Sequence, residues 1–470
     1  MANFFKLLIP TTEINLASTK TIKLGNKTWE LVEFERLSDA PPYTCISYSW
    51  GSVKTVNPLN NKFQISNRTI PSIKTVVNSL ESSECQSSEL RSLFHSETKH
   101  AERLALAHKA SDAIWIDGLC IPQEQSAYDN CIQNIGEIYK ESTQVFVVLS
   151  NNCLETVKKI HNKESLIFND YLALGSDDWM DRVWTYQEVV NSKMMFLIAE
   201  GKEKTFISEL TLLNALMTDE KAYSSIDDLD MYQKLERMQL LIASQQMYGN
   251  SALQAMTAMN RRLATYPEDS INAMISVVSD EITSLDGRHL IAPVEYFMRL
   301  CEENNDYSFI FSTNQRSEVL GRTWRPIGDK ITPIISDILV EGNGLSGSLK
   351  STHLQMNNMC RMHPWKSNSV IYAIENFLNT DFPEELLKKL REHKFTGCGM
   401  CIKLEYGYFF TQSPHKRSKN LFVAVPHDVK FHQGAPALLL RSNDTDINEF
   451  CDVGIFIGKA PISSETINIS

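Results

Sequence analysis

Long apolar runs are missing from this chain of 470 residues, and no stretch approaches the roughly 20 residues a helix needs to cross a bilayer. The start, MANFFKLLIP, is interrupted by Lys6 and closed by Pro10, too short an apolar run for a secretory signal. Blocks of Lys and Arg are also absent and the net charge is −11, so the electrostatic footprint of a nucleic-acid or anionic-lipid binder is lacking. Neither partner is expected, and the expected location is the cytoplasm. Ten cysteines are scattered without a dense framework, which suits reduced thiols better than disulfides. Histidine is missing from 1–94 and 162–288, so a base for Cys120 or Cys131 would have to come from the 95–108 insertion, from His161 or from the distant C-terminal region, which argues against a cysteine hydrolase.

What is present is a fold pattern. Thr21–Leu24 and Thr28–Phe34 flank Gly25-Asn26 and predict a hairpin. Short β-type runs follow at Thr44–Tyr48, Ala113–Ile116, Val145–Leu149 and Met194–Ala199. Between them lie amphipathic stretches, one opened by Pro71 with Ile73, Val76, Val77 and Leu80 on one face, another striped by Tyr128, Ile132, Ile135 and Tyr139. Alternation of this kind predicts a parallel sheet covered by helices, with ligands bound beyond the carboxyl ends of the strands. Residues 83–110, polar and rich in Ser, Glu and His, read as an insertion.

The stretch Trp179–Ala199 organises this part. Acidic Asp177, Asp178 and Asp181 suit a helix start, and a helix of about three turns from Trp179 is expected to lead into the Met194 strand. In it Met180, Trp184 and Glu188 fall at i, i+4, i+8, which sets a carboxylate one turn after an indole, beside the buried face. A solvated Glu next to a core Trp would give the same pattern.

Beyond it, 205–305 reads as a helical region and 306–470 as mixed and mainly β, with strands expected at Ser308–Phe311, Leu421–Val425, Ala437–Leu440 and Val453–Ile457. The first domain is therefore drawn at 1–204. Cys360-x-x-His363 and Cys398-x-x-Cys401 offer zinc-like pairs, but far apart, and no metal site is assigned. Gly342 to Gly347 matches the dinucleotide glycine pattern without a following helix or a suitably spaced acid, and reads as a loop.

Four blocks in order resemble the HET (heterokaryon incompatibility) domain: Tyr43 to Gly51 (YTCISYSWG), Ile114 to Gln123 (IWIDGLCIPQ), Ile135 to Tyr139 (IGEIY) before VFVVL, and Arg182 to Glu188 (RVWTYQE). Together they cover about 43–200, with Pro122 where Asn is usual and Tyr186 where Leu is usual. The HET domain is in turn similar to the TIR domain, which implies a TIR-like, flavodoxin-like parallel sheet for 1–204. Enzymatic TIR domains cleave NAD⁺ at the nicotinamide–ribose bond with a glutamate on the W-x-x-x-E helix, and the matching position is Glu188. By that resemblance Glu188 is the expected catalytic carboxylate. Ser47, Trp50, Gly51, Asp117, Cys120, Arg182 and Trp184 would line the cleft, with Arg182 toward a phosphate and Trp184 beside nicotinamide or ribose. NAD⁺ would be a substrate rather than a tightly bound cofactor, and the active form a homo-oligomer in cell-death or defence signalling. A non-enzymatic TIR-like interaction module, or an enzyme making a cyclic or transferred ADP-ribose signal, would carry the same motifs.

Overall fold

A computed structural model describes residues 5–11, 21–80, 113–124, 127–128, 131–132, 134–202, 204–218, 234–235, 238–239, 241–242, 251–260, 262–278, 291–335, 340–364, 370–371, 390, 401–412, 420–431, 434–443, 445–459 and 463–470. The expected insertion at 83–110 lies outside them. The chain forms two compact units, Met1–Gln246 and Met247–Ser470. The boundary falls inside the stretch read from sequence as one helical region.

The first unit is built on an eight-stranded sheet. Its strands are β1 (Phe5–Thr11), β2 (Thr21–Leu24), β3 (Lys27–Phe34), β4 (Tyr43–Tyr48), β7 (Ala113–Ile116), β8 (Gln144–Leu149), β9 (Met195–Ala199) and β10 (Phe206–Ser208), while β5 (Lys54–Val56) and β6 (Gln64–Ser66) make a separate hairpin. The spatial order is β10-β9-β8-β4-β7-β1-β3-β2. Strands β9, β8, β4 and β7 run parallel, so the four expected strands stand in the order two-one-three-four, a doubly wound arrangement that reverses direction beside β4. Every residue of β4, β7, β8 and β9 is buried, which is why β7, β9 and Val145–Leu149 of β8 read as unbroken apolar runs rather than alternating ones. The hairpin expected near Gly25 is β2–β3, with Gly25 at φ 59°. Around it the sheet extends antiparallel: β1, in the start whose apolar run is too short for a secretory signal, pairs with β3 and with β7, and β10 pairs with β9.

Helices of this unit are α1 (Thr69–Leu80), α2 (Asp117–Cys120), α3 (Ile135–Glu141), α4 (Leu154–His161), α5 (Phe168–Gly175), α6 (Val183–Val190) and α7 (Glu209–Thr218). The helix expected from Trp179 begins later. Asp178–Asp181 form a single 3₁₀ turn, capped by the Asp177 side chain accepting from the Trp179 amide at 2.9 Å, and Arg182 is extended (φ −78°, ψ 139°) before α6 starts at Val183. The acidic run thus caps a turn, and Trp184 and Glu188 share α6. Helix α7 packs on β9, β10 and α4, which ties the first part of the 205–305 stretch to this unit.

In the second unit α8 (Ala252–Met259), α9 (Pro267–Val278) and α10 (Pro293–Glu303) come first. Ser251 and Gln254 form a reciprocal capping box at the start of α8. Ser308–Phe311, read as a strand, is instead a 3₁₀ turn at Ser308–Ile310, because Asp306 accepts the Ala252 and Ser308 amides (2.6 and 2.9 Å) and Ser308 Oγ accepts the Leu253 amide. The segment is spent on capping α8 rather than on a ladder.

The remaining strands are β11 (Val340–Glu341), β12 (Gly347–Leu349), β13 (Leu354–Met362), β14 (Val370–Ile371), β15 (Cys401–Leu404), β16 (Gly407–Thr411), β17 (Leu421–Pro426), β18 (Lys430–Phe431), β19 (Ala435–Arg441), β20 (Ile447–Gly458) and β21 (Glu465–Ile469). The main sheet runs β12-β13-β17-β19-β20-β16-β15-β14 and closes on itself through a Pro364–Leu404 bridge, while β21 links β13 to β20. It is a barrel, filled by side chains including Cys360, Met362, Ile402, Leu404, Phe409, Val423, Val425, Leu439 and Phe456. Strand alternation turns His363 away from that interior and Cys401 away from Ile402, so the residues considered for zinc do not converge, and Cys398 lies outside the described residues. Among the described residues no group of three or more His, Cys, Asp or Glu is arranged for a metal. Gly342 and Gly344 hold φ of 103° and 89° in a turn that leads into β12, not into a helix. No helix among the described residues is long and apolar enough to cross a membrane.

Candidate active site

Strand β4 carries the site because it is central and its carboxyl end lies where the sheet order reverses. Ser47 is fully buried there, and its hydroxyl donates to Glu188 Oε2 while accepting from Trp179 Nε1 at 2.6 Å. An indole N–H can only donate, so the single Ser47 proton is directed at Glu188. A second hydroxyl, that of Tyr139 on α3, also donates to the Glu188 carboxylate. Residue Glu188 as a whole is half-buried, with its carboxyl end inside the fold.

Burial is the largest influence on this acid and lifts it to about 7; the Asp117 charge adds to the rise, while Ser47, Arg182 and Tyr139 oppose it. Asp117, the first residue past β7, is raised for the same reason. Its carboxylate accepts from Trp50 Nε1 and from the Gly118 amide, each at 2.5 Å, and from the Tyr48 hydroxyl. Helix α2 is a one-turn structure, so Asp117 caps its own next amide and stays at the strand end. Arg182 donates to the Tyr48 carbonyl at 3.4 Å and lowers both carboxylates, which makes it the cation of the group.

Ser47, Trp50, Asp117, Arg182 and Glu188 are therefore brought together from β4, its following loop, β7 and α6. Trp50 packs on the core with part of its ring exposed, and Gly51 beside it is exposed at φ 64°. Trp184 is half-buried one turn before Glu188 and has no hydrogen-bond or ring partner among the described residues. Cys120 goes elsewhere. It is fully buried, accepts from the Ile116 amide (3.4 Å) and reaches the Ile114 carbonyl, and burial pushes its thiol up to about 12. The one-turn helix folds it back under β7 into the core, so it does not line the cleft. Pro122 and Tyr186, the departures from the usual pattern, are both buried.

Three contributors escaped the sequence reading. Tyr139 stood in an amphipathic stripe and Trp179 at the start of the expected helix, and each turns a polar tip on the Glu188 network. Arg68, just before α1, bridges the carboxyl ends of β4 and β8: it donates to Ser49 and pairs with Glu200 at 2.8 Å, and its other terminal nitrogen approaches the Val148 carbonyl at 3.5 Å. A lone cation ahead of a helix is the sole local signal it carries.

These features define an α/β domain with a two-carboxylate cluster at the carboxyl ends of a doubly wound sheet. Residues 43–188 match the family model described as heterokaryon incompatibility protein (HET), and the match ends on Glu188. Over that stretch the chain is similar to this family. No curated protein and no solved structure matches the chain significantly.

Proposed function

We propose that the first unit is a TIR-like module that hydrolyses NAD⁺ at the nicotinamide–ribose bond, with Glu188 as the catalytic carboxylate. The observation that carries this reading is Glu188 itself: an acid brought to the carboxyl end of the central strand, held by the Ser47 and Tyr139 hydroxyls, one turn after half-buried Trp184. The two-one-three-four strand order supports it, since such sheets bind nucleotides beyond their carboxyl edges.

Cleaving that bond releases neutral nicotinamide from a pyridinium, so no acid is needed for the leaving group. Charge builds instead on the ribose, as in glycoside hydrolysis, and an anionic carboxylate beside it stabilises the oxocarbenium-like state. Glu188 serves when ionised, and the two hydroxyl donors favour that form against the effect of burial. Water then attacks the ribose carbon, giving ADP-ribose, nicotinamide and a proton. Arg182, which lowers both carboxylates, would meet a phosphate.

A non-enzymatic interaction module is the second reading, because Ser47 and Tyr139 also satisfy Glu188 as a structural acid would require. Nicotinamide release from NAD⁺ by purified full-length chain separates the two. Release that Glu188→Gln abolishes with folding intact supports the enzyme. Absence of release at high protein concentration, including a forced oligomer, favours the module.

A further inference from the structure

The Arg68–Glu200 pair is a second charged group at the carboxyl edge of the first sheet, and the reaction above gives it no role. Strand β9 ends at Ala199, and the Glu200 amide continues its pairing by donating to the Leu149 carbonyl at 2.9 Å, so this carboxylate stands at the strand end. Arg68 Nε holds Glu200 Oε1 at 2.8 Å. The rest of the guanidinium is committed: Nη1 donates to the Ser49 carbonyl and hydroxyl, and Nη2 approaches the Val148 carbonyl at 3.5 Å. Arg68 therefore fixes the acid and has little left for a ligand. Glu200 is different. Among the described residues its side chain has Arg68 as its one partner, which leaves Oε2 open, and the side chain is 21% exposed.

Its place relative to Glu188 follows from the sheet. Glu188 is bonded to Ser47 on β4, and β9 lies two strands away across β8, roughly 10 Å at the usual strand spacing. The Trp50–Gly51 turn occupies the edge between them. Trp50 is tied to Asp117 at 2.5 Å on the β7 side, while a Cβ at exposed Gly51 would rest 3.8 Å from Arg68 Cδ. The edge thus carries an acid on each side of an open glycine turn. A dinucleotide has a ribose on each side of a diphosphate, and in doubly wound sheets an acid at a strand end accepts from a ribose 2′-hydroxyl. An open carboxylate oxygen whose neighbouring cation is already occupied accepts such a hydroxyl and repels a phosphate in its place.

We propose that Glu200 is a specificity residue of this site, accepting the 2′-hydroxyl of the adenosine ribose and excluding dinucleotides phosphorylated there; the assignment rests on the NAD⁺ reading of Glu188. Isothermal titration calorimetry of the full-length chain with ADP-ribose and with ADP-ribose 2′-phosphate tests it without requiring turnover. Wild type is expected to bind ADP-ribose at least tenfold more tightly. Glu200→Gln keeps the shape and an acceptor for Arg68 but removes the charge, and is expected to narrow that ratio below threefold by strengthening the phosphorylated ligand. Nicotinamide release from NAD⁺ and NADP⁺ should follow the same ratios. If neither dinucleotide is cleaved while the binding preference holds and vanishes in E200Q, the hydrolase reading falls and the role of Glu200 stands. Equal binding of the two ligands by wild type, binding of neither, or a preference untouched in E200Q would overturn it. The wild-type comparison carries the test if circular dichroism shows E200Q unfolded.

Discussion

Ser47 Oγ stands between the Trp179 indole, which donates to it at 2.6 Å, and the Glu188 carboxylate, to which it donates. The order of donors is fixed by chemistry, since the indole cannot accept and the serine has one proton. A buried strand residue and a buried tryptophan thereby set the state of the acid on α6.

Removing that donor raises the acid further. A hydrogen bond to a charged group contributes about 1.5–3 kcal/mol, so Ser47→Ala is expected to move Glu188 up by about one unit. If ionised Glu188 drives NAD⁺ cleavage, the wild-type rate rises with pH through about 7. In Ser47→Ala the rising limb shifts upward and the rate at neutral pH falls about fivefold. A pH–rate profile of nicotinamide release reads both, and an unmoved limb would place the titrating group elsewhere.

Glu188→Gln is expected to lower NAD⁺ cleavage by about 100-fold or more, as loss of a charge-stabilising group does. The same variant carries a stability signature independent of activity. Folding raises this acid from 4.5 to about 7, so its contribution to stability is complete below the unfolded value and is lost as pH climbs through the folded one. Glutamine does not titrate. The Tm of the variant minus that of the wild type should therefore grow between pH 5 and pH 8 by about 2–4 °C, taking roughly 1 kcal/mol after discounting for solvent access. Scanning calorimetry across that range would show it, and a flat difference would contradict a raised Glu188.

Gly118→Ala tests the strand-end loop. An added Cβ would lie 2.8 Å from Thr69 Oγ1 and 3.0 Å from the Tyr48 hydroxyl, two groups bonded to each other at 2.6 Å. Overpacking of this kind costs about 1–3 kcal/mol, and here it also displaces Asp117. A lower urea midpoint with weaker nicotinamide release is expected, whereas wild-type stability would mean the Thr69 side chain swings clear.

In the second unit, Arg325 pairs with Glu302 at 2.8 Å and Glu295 at 2.6 Å while only 8% exposed. Arg325→Ala strands Glu302 and leaves Glu295 with Arg299 alone, at 3.0 Å, and because both acids keep some access to water a loss of about 2 kcal/mol is expected. Denaturant unfolding measures it. A change under about 0.5 kcal/mol would show the pairs to be solvent-screened.

Sequence by itself determined the parallel strands, the Gly25 turn and the position of Glu188, because each depends on local spacing: unbroken apolar runs for strands buried on both faces, and a carboxylate one turn after an indole. Tertiary structure decided which groups meet that carboxylate. Ser47 and Glu188 are 141 positions apart and Arg68 and Glu200 are 132, so no window on the chain contains either pair, and only the parallel pairing of β4, β8 and β9 and the return of α6 to β4 bring them together. It also decided against local propensity twice. Asp177 spends the acidic run on a turn before α6, and Asp306 spends an apolar run on capping α8, because buried amides must find acceptors whatever the side-chain pattern suggests. The barrel and a bulge at Cys451 in β20 belong to the same class: their strands are legible one by one, but closure and register are set by partners far along the chain.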